Sequence, residues 1–275
     1  MSQDAETVWR DPNYLRQAQY QNSANLAARA NIHAKYGRGD WFAWVAQQPD
    51  WPTSGELLEL GCGPGWFWSQ GGEQLPDGLH LTLTDLSPGM VEEALTRARG
   101  VGRWPVVEGQ TADATALPFE TGRFDAVQAL HMLYHLPDPA AGLDEIVRVL
   151  KPGGLAVIAT NGQGNMSELF SLQSAVFGGA SGDQTIAAFG LEIAEPMLRA
   201  RFAEVALVRY PDTLRIIDPA DVHAYLTSSP PGSSADADQD AALRRAIDQA
   251  FASGGGVLTV RKSAGVFLCR GALRA

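Results

Sequence analysis

Cysteine is nearly missing from this 275-residue chain; Cys62 and Cys269 are the only two. Two thiols so far apart exclude a disulfide framework and a cysteine metal cluster, and they suit a reducing compartment. Long apolar runs are lacking as well. None reaches the ~18 residues of a membrane span, and the start of the chain (MSQDAETVWR) is too polar for a secretory signal. The expected location is therefore the cytoplasm. Basic charge is scarce: 21 Lys and Arg stand against 31 Asp and Glu, a formal charge of −10. Nucleic acid and anionic membrane both demand basic surface, so neither is the expected partner. Acidity also serves plain solubility, so the charge disfavours some partners and selects none. Internal repeats are not visible.

What is present reads as an ordinary globular chain, 45% apolar and 19% charged. From residue 56 onward, short apolar runs alternate with amphipathic stretches, the pattern of βαβ units and a parallel sheet. The predicted strands are 56–60, 79–84, 104–108, 124–130 and 155–160. Ser87-Pro88 and Asp138-Pro139 read as helix starts, a capping side chain followed by proline at the first helical position. After Asp138, Leu143, Ile146, Val147 and Leu150 share one face, and Lys151-Pro152-Gly153-Gly154 stops the helix. A helical segment over 12–48 precedes this core. Beyond it the pattern predicts helices at 166–177, 191–200, from Asp218-Pro219 and at 239–252, with strands at 203–210 and 265–270. Residues 228–238 (SSPPGSSADAD) read as a flexible low-complexity loop.

The stretch ELLELGCGPGWFW, residues 56–68, carries the chemistry. An apolar strand leads into Gly61, Gly63 and Gly65, where glycine lets backbone approach a ligand. A dinucleotide loop needs another glycine one position later, and Trp66 stands there. Asp85 closes the second strand, where a carboxylate can accept hydrogen bonds from both ribose hydroxyls; that much suits NAD too. Asp113-Ala114 follows the third strand, in GQTADATALPF.

These motifs, in this order over about residues 55–160, resemble the class I S-adenosylmethionine-dependent methyltransferases. The resemblance implies an α/β fold: a Rossmann-like seven-stranded mostly parallel sheet with helices on both faces and a partly helical lid. It divides the chain into an N-terminal lid segment (1–50), a cofactor-binding core (51–160), and a C-terminal part with helical insertions over the substrate (161–275). It implies S-adenosyl-L-methionine as cofactor. Gly61, Cys62, Gly63 and Gly65 then face the methionine part, Glu59 orders the loop or contacts the cofactor's amino group through water, and Asp85 faces the ribose. Asp113 accepts from the adenine amino group, Ala114 offers its N–H to the ring, and Leu86 and Met90 pack on the adenosine. Ala129 and Leu130 offer carbonyls to the cofactor's amino group. Tyr20 and Arg29 are the candidates for the methionine carboxylate. Trp66 either walls the methionine chain or packs in the core, and Trp68 is placed in the core.

For the chemistry, ALHMLYHL after strand four puts His131 toward the substrate, either as a base or as a wall residue for transfer by proximity. His131 and His135 are four apart, but without an interposed glutamate or a third ligand they suggest no metal. The tetrapeptide of DNA amino-methyltransferases and the Pro-Cys of cytosine C5 enzymes are both missing. A small organic acceptor remains, methylated at O, N or C, under a wall drawn from Trp41, Trp44, Phe170, Phe177, Phe189, Tyr210 and Tyr225. The alternative is a family member that keeps the cofactor structurally or runs another reaction in the same pocket. The oligomeric state is not legible.

Overall fold

Leu57, Leu58 and Leu60 of β1 (Ser54–Leu60) have no solvent exposure, although neighbours in a strand point to opposite faces. Both faces must therefore be covered, the mark of a parallel sheet between helical layers. The computed structural model of the chain describes residues 24–179 and 184–273. Its strands continue as β2 (Gly78–Asp85), β3 (Val106–Thr111), β4 (Phe124–Leu130), β5 (Leu150–Asn161), β6 (Phe202–Arg209), β7 (Thr213–Ile216), β8 (Leu258–Arg261) and β9 (Ala264–Ala272). Seven of them form one sheet in the order β3-β2-β1-β4-β5-β9-β6, and β7 pairs with β8 in a second. Only β9 runs against its neighbours in the large sheet. This is the mostly parallel seven-stranded sheet expected.

The described helices are α1 (Ala24–Tyr36), α2 (Trp41–Ala46), α3 (Trp66–Gly71), α4 (Pro88–Val101), α5 (Pro139–Val149), α6 (Ser167–Phe177), α7 (Leu191–Arg199), α8 (Pro219–Thr227) and α9 (Ala237–Ser253). Two apolar layers sandwich the sheet. Leu58, Leu60, Val127 and Ile158 meet Ile146 of α5 and Leu198 of α7. Leu57, Leu81, Leu83 and Val157 meet Trp68 of α3 and Ala94 of α4. A third cluster joins Ile32, Leu169, Leu214, Val222, Ile247 and Val260, from α1, α6, β7, α8, α9 and β8. The Lys35 ammonium and the Tyr36 hydroxyl, each 2.6 Å from Asp221 Oδ2, tie α1 to α8.

The predicted helix starts hold. Ser87 Oγ accepts from the Met90 N–H, Asp138 Oδ1 accepts from the Ala140 N–H, and proline follows each cap. Three expectations need correction, and one element was not anticipated. The segment over 12–48 is not one helix where it is described: Gly37–Asp40 breaks it, and Asp40 caps α2. The third strand starts at Val106, because Trp104 is a core side chain whose indole donates to the Pro76 carbonyl. Its polar end, Glu108 to Thr111, still pairs with β2, since an edge strand has a wet side. Residues 228–238 are an ordered turn, with a 3-10 segment at Gly232–Ser234 and a capping box on Asp236. The small β7–β8 sheet was not anticipated, its strands being four residues each. No described helix is long and apolar enough to cross a membrane.

Candidate active site

In a parallel sheet the loops after successive strands leave the same edge, and a crevice opens where strand order reverses. Here the reversal falls between β1 and β4. A cavity of about 1360 Å³ lies there, lined by the loops after β1, β2, β3 and β4 and by residues of α1, α2, α6 and α8.

The glycine loop fits its sequence tightly. Gly61, Gly63 and Gly65 have φ of 62°, 51° and 78°, a region that costs side-chain-bearing residues ~1–2 kcal/mol. A Cβ on Gly61 would lie 2.6 Å from Met132 Cβ, and one on Gly65 2.6 Å from Ala94 Cα. A Cβ on Gly63 would meet no protein atom within 4 Å, so here the backbone faces open space. The loop is pinned from three sides. The Cys62 N–H donates to the Thr84 carbonyl (2.9 Å), the Gly63 N–H to Asp85 Oδ2 (3.0 Å), and Arg97 to the Pro64 carbonyl (2.6 Å).

Asp85 is thus bound to the loop as well as facing the cavity. Its Oδ1 accepts from the Ser87 N–H at 2.9 Å. Burial raises its pKa, and the N–H groups of Ser87, Gly63 and Leu86 pull it back. Each oxygen keeps acceptor capacity for a further donor. Asp113 Oδ1 accepts from the Thr115 N–H and hydroxyl (2.8 and 2.7 Å). The Asp113 loop is anchored from beneath: Glu145 accepts from the Leu117 N–H, and Arg148 donates to the Leu117 and Phe119 carbonyls.

Glu59 is 2% exposed and receives the indole N–H of Trp68 on Oε2. Burial pushes its pKa up to about 8; the Trp68 indole and the nearby Gln128 oppose that, and Asp85 adds to it. The Gln128 amide itself finds no partner within hydrogen-bond distance. Trp68 is fully buried, as expected, and Trp66 lines the cavity. Glu59, Gly61, Cys62, Gly63, Asp85, Leu86, Met90, Asp113, Ala114, Leu130 and Arg29 all reach the cavity too. Two residues do not line it. Gly65 packs on α4 instead. Ala129 sits inside the ladder, opposite Leu60 and Ile158. Tyr20 lies outside the described residues.

His131 takes φ 55° at the end of β4, a strained setting of the kind found at ligand sites. Its N–H donates to the Ala159 carbonyl, and Trp41 packs on its ring at 5.0 Å between centroids. Burial, then Lys262, then His135 lower its pKa to about 3. Of the expected wall aromatics, Trp41, Phe170, Tyr210 and Tyr225 line the cavity. Trp44 instead stacks behind Trp41, and Phe177 and Phe189 pack in the cores. Among the described residues no cluster could hold a metal ion. Lys262 was missed by sequence reasoning. It precedes the last strand, where a lysine reads as a solvated turn, yet it lines the cavity with His33.

Residues 58–158 match the family model described as a methyltransferase domain. The match spans a little over a third of the chain and shows what this stretch is similar to. The demethylmenaquinone methyltransferase of Clavibacter sepedonicus is 42% identical to the protein over 108 residues, 39% of this chain and 42% of that one. The chain spans about half, or less, of the length of the curated relatives it matches. Among solved structures, a 4+2 cyclase aligns over 94% of this chain and 96% of its own, with TM-score 0.57 and 20% identity. Phosphoethanolamine N-methyltransferase 2 of Haemonchus contortus, solved with S-adenosyl-L-methionine, aligns over 95% of this chain and 59% of its own, with TM-score 0.56 and 19% identity. At these identities the likeness concerns the fold. The matched stretch covers the strands that carry the glycine loop, Asp85, Asp113 and His131; Lys262 and His33 come from outside it.

Proposed function

We propose that the protein transfers the methyl group of S-adenosyl-L-methionine to a small organic acceptor. The observation that carries this reading is the single cavity of about 1360 Å³ that holds both sets of residues. It exceeds the ~300–1,000 Å³ typical of one small ligand, as a site for cofactor and acceptor together must. The donor set suits the cofactor: an open glycine backbone at Gly63, an anchored carboxylate at Asp85, a second at Asp113, and the Glu59 carboxyl beside the loop.

When bound, the cofactor supplies an electrophilic methyl group on a sulfonium. Asp85 would hold the ribose and at the same time fix Gly63, so ligand binding and loop order share one side chain. Glu59 would lose its proton to meet the cofactor's ammonium. Trp41, Phe170, Tyr210 and Tyr225 exclude water and offer aromatic faces to an acceptor. His131 stays unprotonated and can accept a hydrogen bond, but a base works best with a pKa near the working pH. At about 3 it is a weak one, so His131 positions the acceptor and transfer proceeds by proximity. The elements outside the core, 1–50 and 161–275, determine which acceptor fits. A quinone-like ring, as named for the Clavibacter relative, is one candidate class. The two cysteines are free and buried, which suits a reducing, cytoplasmic setting.

The test is a screen of small acceptors with methyl-labelled cofactor. Stoichiometric formation of S-adenosylhomocysteine and a labelled product supports transfer. Tight cofactor binding with no turnover across acceptor classes, or conversion of an acceptor without cofactor consumption, favours the non-methylating reading.

A further inference from the structure

Lys262 sits between β8 and β9 on a turn held from both sides. The Met166 N–H donates to the Arg261 carbonyl (2.9 Å), the Ser263 N–H to Asn165 Oδ1 (3.0 Å), and the Gly162 N–H to the Ser263 carbonyl (2.7 Å). The turn therefore presents the lysine at a fixed place in the cavity wall. Its Nζ lies 3.2 Å from His33 Nδ1. Among the described residues no carboxylate stands within ion-pair distance of it, whereas the half-buried Arg97, Arg148 and Lys151 each have one. The groups that face it are His33 from α1, His131 after β4 and Asp212 before β7. Asp212 is engaged elsewhere, accepting the N–H groups of Arg38 and Thr213 on Oδ1.

A desolvated ammonium without a counter-charge is costly to keep. Burial drives the Lys262 pKa down to about 8, with Asp212 opposing, so near neutral pH most of it is still charged. His33 and His131 are both held neutral, by burial first and by this ammonium. The wall at this point is one positive charge flanked by two neutral imidazoles and Trp41. It calls for an anion, and the ligand must bring it.

We propose that Lys262, backed by His33, anchors an acceptor that presents an oxyanion, a phenolate or enolate oxygen. This rests on the methyl-transfer reading above for the word acceptor, though the anion site stands on its own geometry. The acceptor would shed its O–H proton to solvent on binding, so no protein base is required. In transfer, the new bond to carbon forms from the oxyanion or its conjugated carbon, and the C–S pair departs with sulfur.

The test uses 4-nitrophenol, a phenol whose own absorbance reports its ionisation. It is titrated into wild type, Lys262→Met and Lys262→Arg, with and without saturating S-adenosylhomocysteine. In wild type the bound probe should ionise about one pH unit lower than the free probe, a ~10-fold preference for phenolate. Lys262→Arg should keep that preference and extend it above pH 8, because guanidinium stays charged. Lys262→Met should abolish it while S-adenosylhomocysteine binds as before. A bound probe that ionises at or above its free pH in wild type, an unchanged preference in Lys262→Met, or no saturable binding each overturns the proposal. Failure of S-adenosylhomocysteine to bind wild type would instead strike the methyl-transfer reading, with the probe shift still scoring Lys262.

Discussion

On the proposed reading, Glu59 would make cofactor binding a proton-release reaction. In the free protein burial holds the carboxyl near pKa 8, so at pH 7 it is about nine-tenths protonated. An ammonium brought within a few ångströms favours the carboxylate and lowers such a pKa by about 1–3 units. The bound value then falls to roughly 5–7, and binding at pH 7 should release between about half a proton and one. Release should vanish below the bound pKa, where Glu59 is protonated in both states, and above about 9, where it is ionised in both. Between those limits cofactor affinity rises with pH, by up to about tenfold per unit. Each unit of downward shift is worth about 1.4 kcal/mol of binding. The assay is calorimetry with S-adenosylhomocysteine in buffers of different ionisation enthalpy, for wild type and Glu59→Gln. Gln keeps an acceptor for the Trp68 indole but cannot titrate, so release should disappear and affinity should fall ~10- to 100-fold. Equal proton release in both proteins, or none in wild type at pH 7, would refute the reasoning.

The remaining predictions follow from the same wall. Asp85→Ala removes an acceptor from Gly63, Ser87 and the proposed ribose; charge-assisted hydrogen bonds are worth roughly 1.5–3 kcal/mol, so cofactor affinity should drop by at least about tenfold. Unchanged calorimetric affinity in a folded variant would leave Asp85 as a cap alone. Gly65→Ala should destabilise by well over 2 kcal/mol in denaturant melts, since positive φ and the 2.6 Å approach to Ala94 add. Gly63→Ala, with φ strain only, should cost about 1–2 kcal/mol, and equal losses would contradict the packing. His131→Ala should lower kcat by less than the ~10²–10⁴ of a working general base. The wild-type rate profile should show no limb near pH 6.5 and should decline above about 8 as Lys262 loses its charge. A limb near 6.5 that His131→Ala removes would restore the base.

The part of the cavity lined by the glycine loop, Asp85 and Asp113 was legible because its requirements are local. Each of Gly61, Gly63, Asp85, Asp113 and His131 sits within a few residues of a strand end, and strand ends can be read from apolar runs. Turn residues that need positive φ, or caps before proline, declare themselves in the sequence. The double duty of Asp85 was not legible, since the same Asp at a strand end can face a ligand or its own loop. Ala129 lies in the ladder and not in the cavity wall for a register reason: one residue decides whether a strand position is paired inside the sheet or leaves it. β7 and β8 were missed for length; Thr213–Ile216 and Leu258–Arg261 are too short to show a period, and each forms because it pairs with the other, α8 and α9 lying between them in the chain.

That small sheet is also why the rest of the cavity wall stayed hidden. Lys262 follows β8, His33 lies on α1, Trp41 opens α2 and Tyr210 follows β6, positions spread over more than 200 residues. No spacing rule links them; the third apolar cluster holds α1 and β8, which carry His33 and lead into Lys262, while Trp41 packs on the second cluster and against Tyr210. Core strands bring the acidic groups Glu59, Asp85 and Asp113, which suit a cationic cofactor. The flanking elements bring Lys262 and the imidazole of His33, which suit an anionic acceptor. The flanking elements also bring Asp40 and Asp212 to the cavity, so its charge is not divided strictly by origin. On the proposed reading a sulfonium and an oxyanion would attract before they react, with Glu59, Asp85 and Asp113 toward the first and Lys262 toward the second, and no base would be needed. On this argument, exchanging the flanking elements with those of a relative should move acceptor choice and leave cofactor affinity where it is. A chimera that kept the acceptor range of its core would locate specificity in the strands instead.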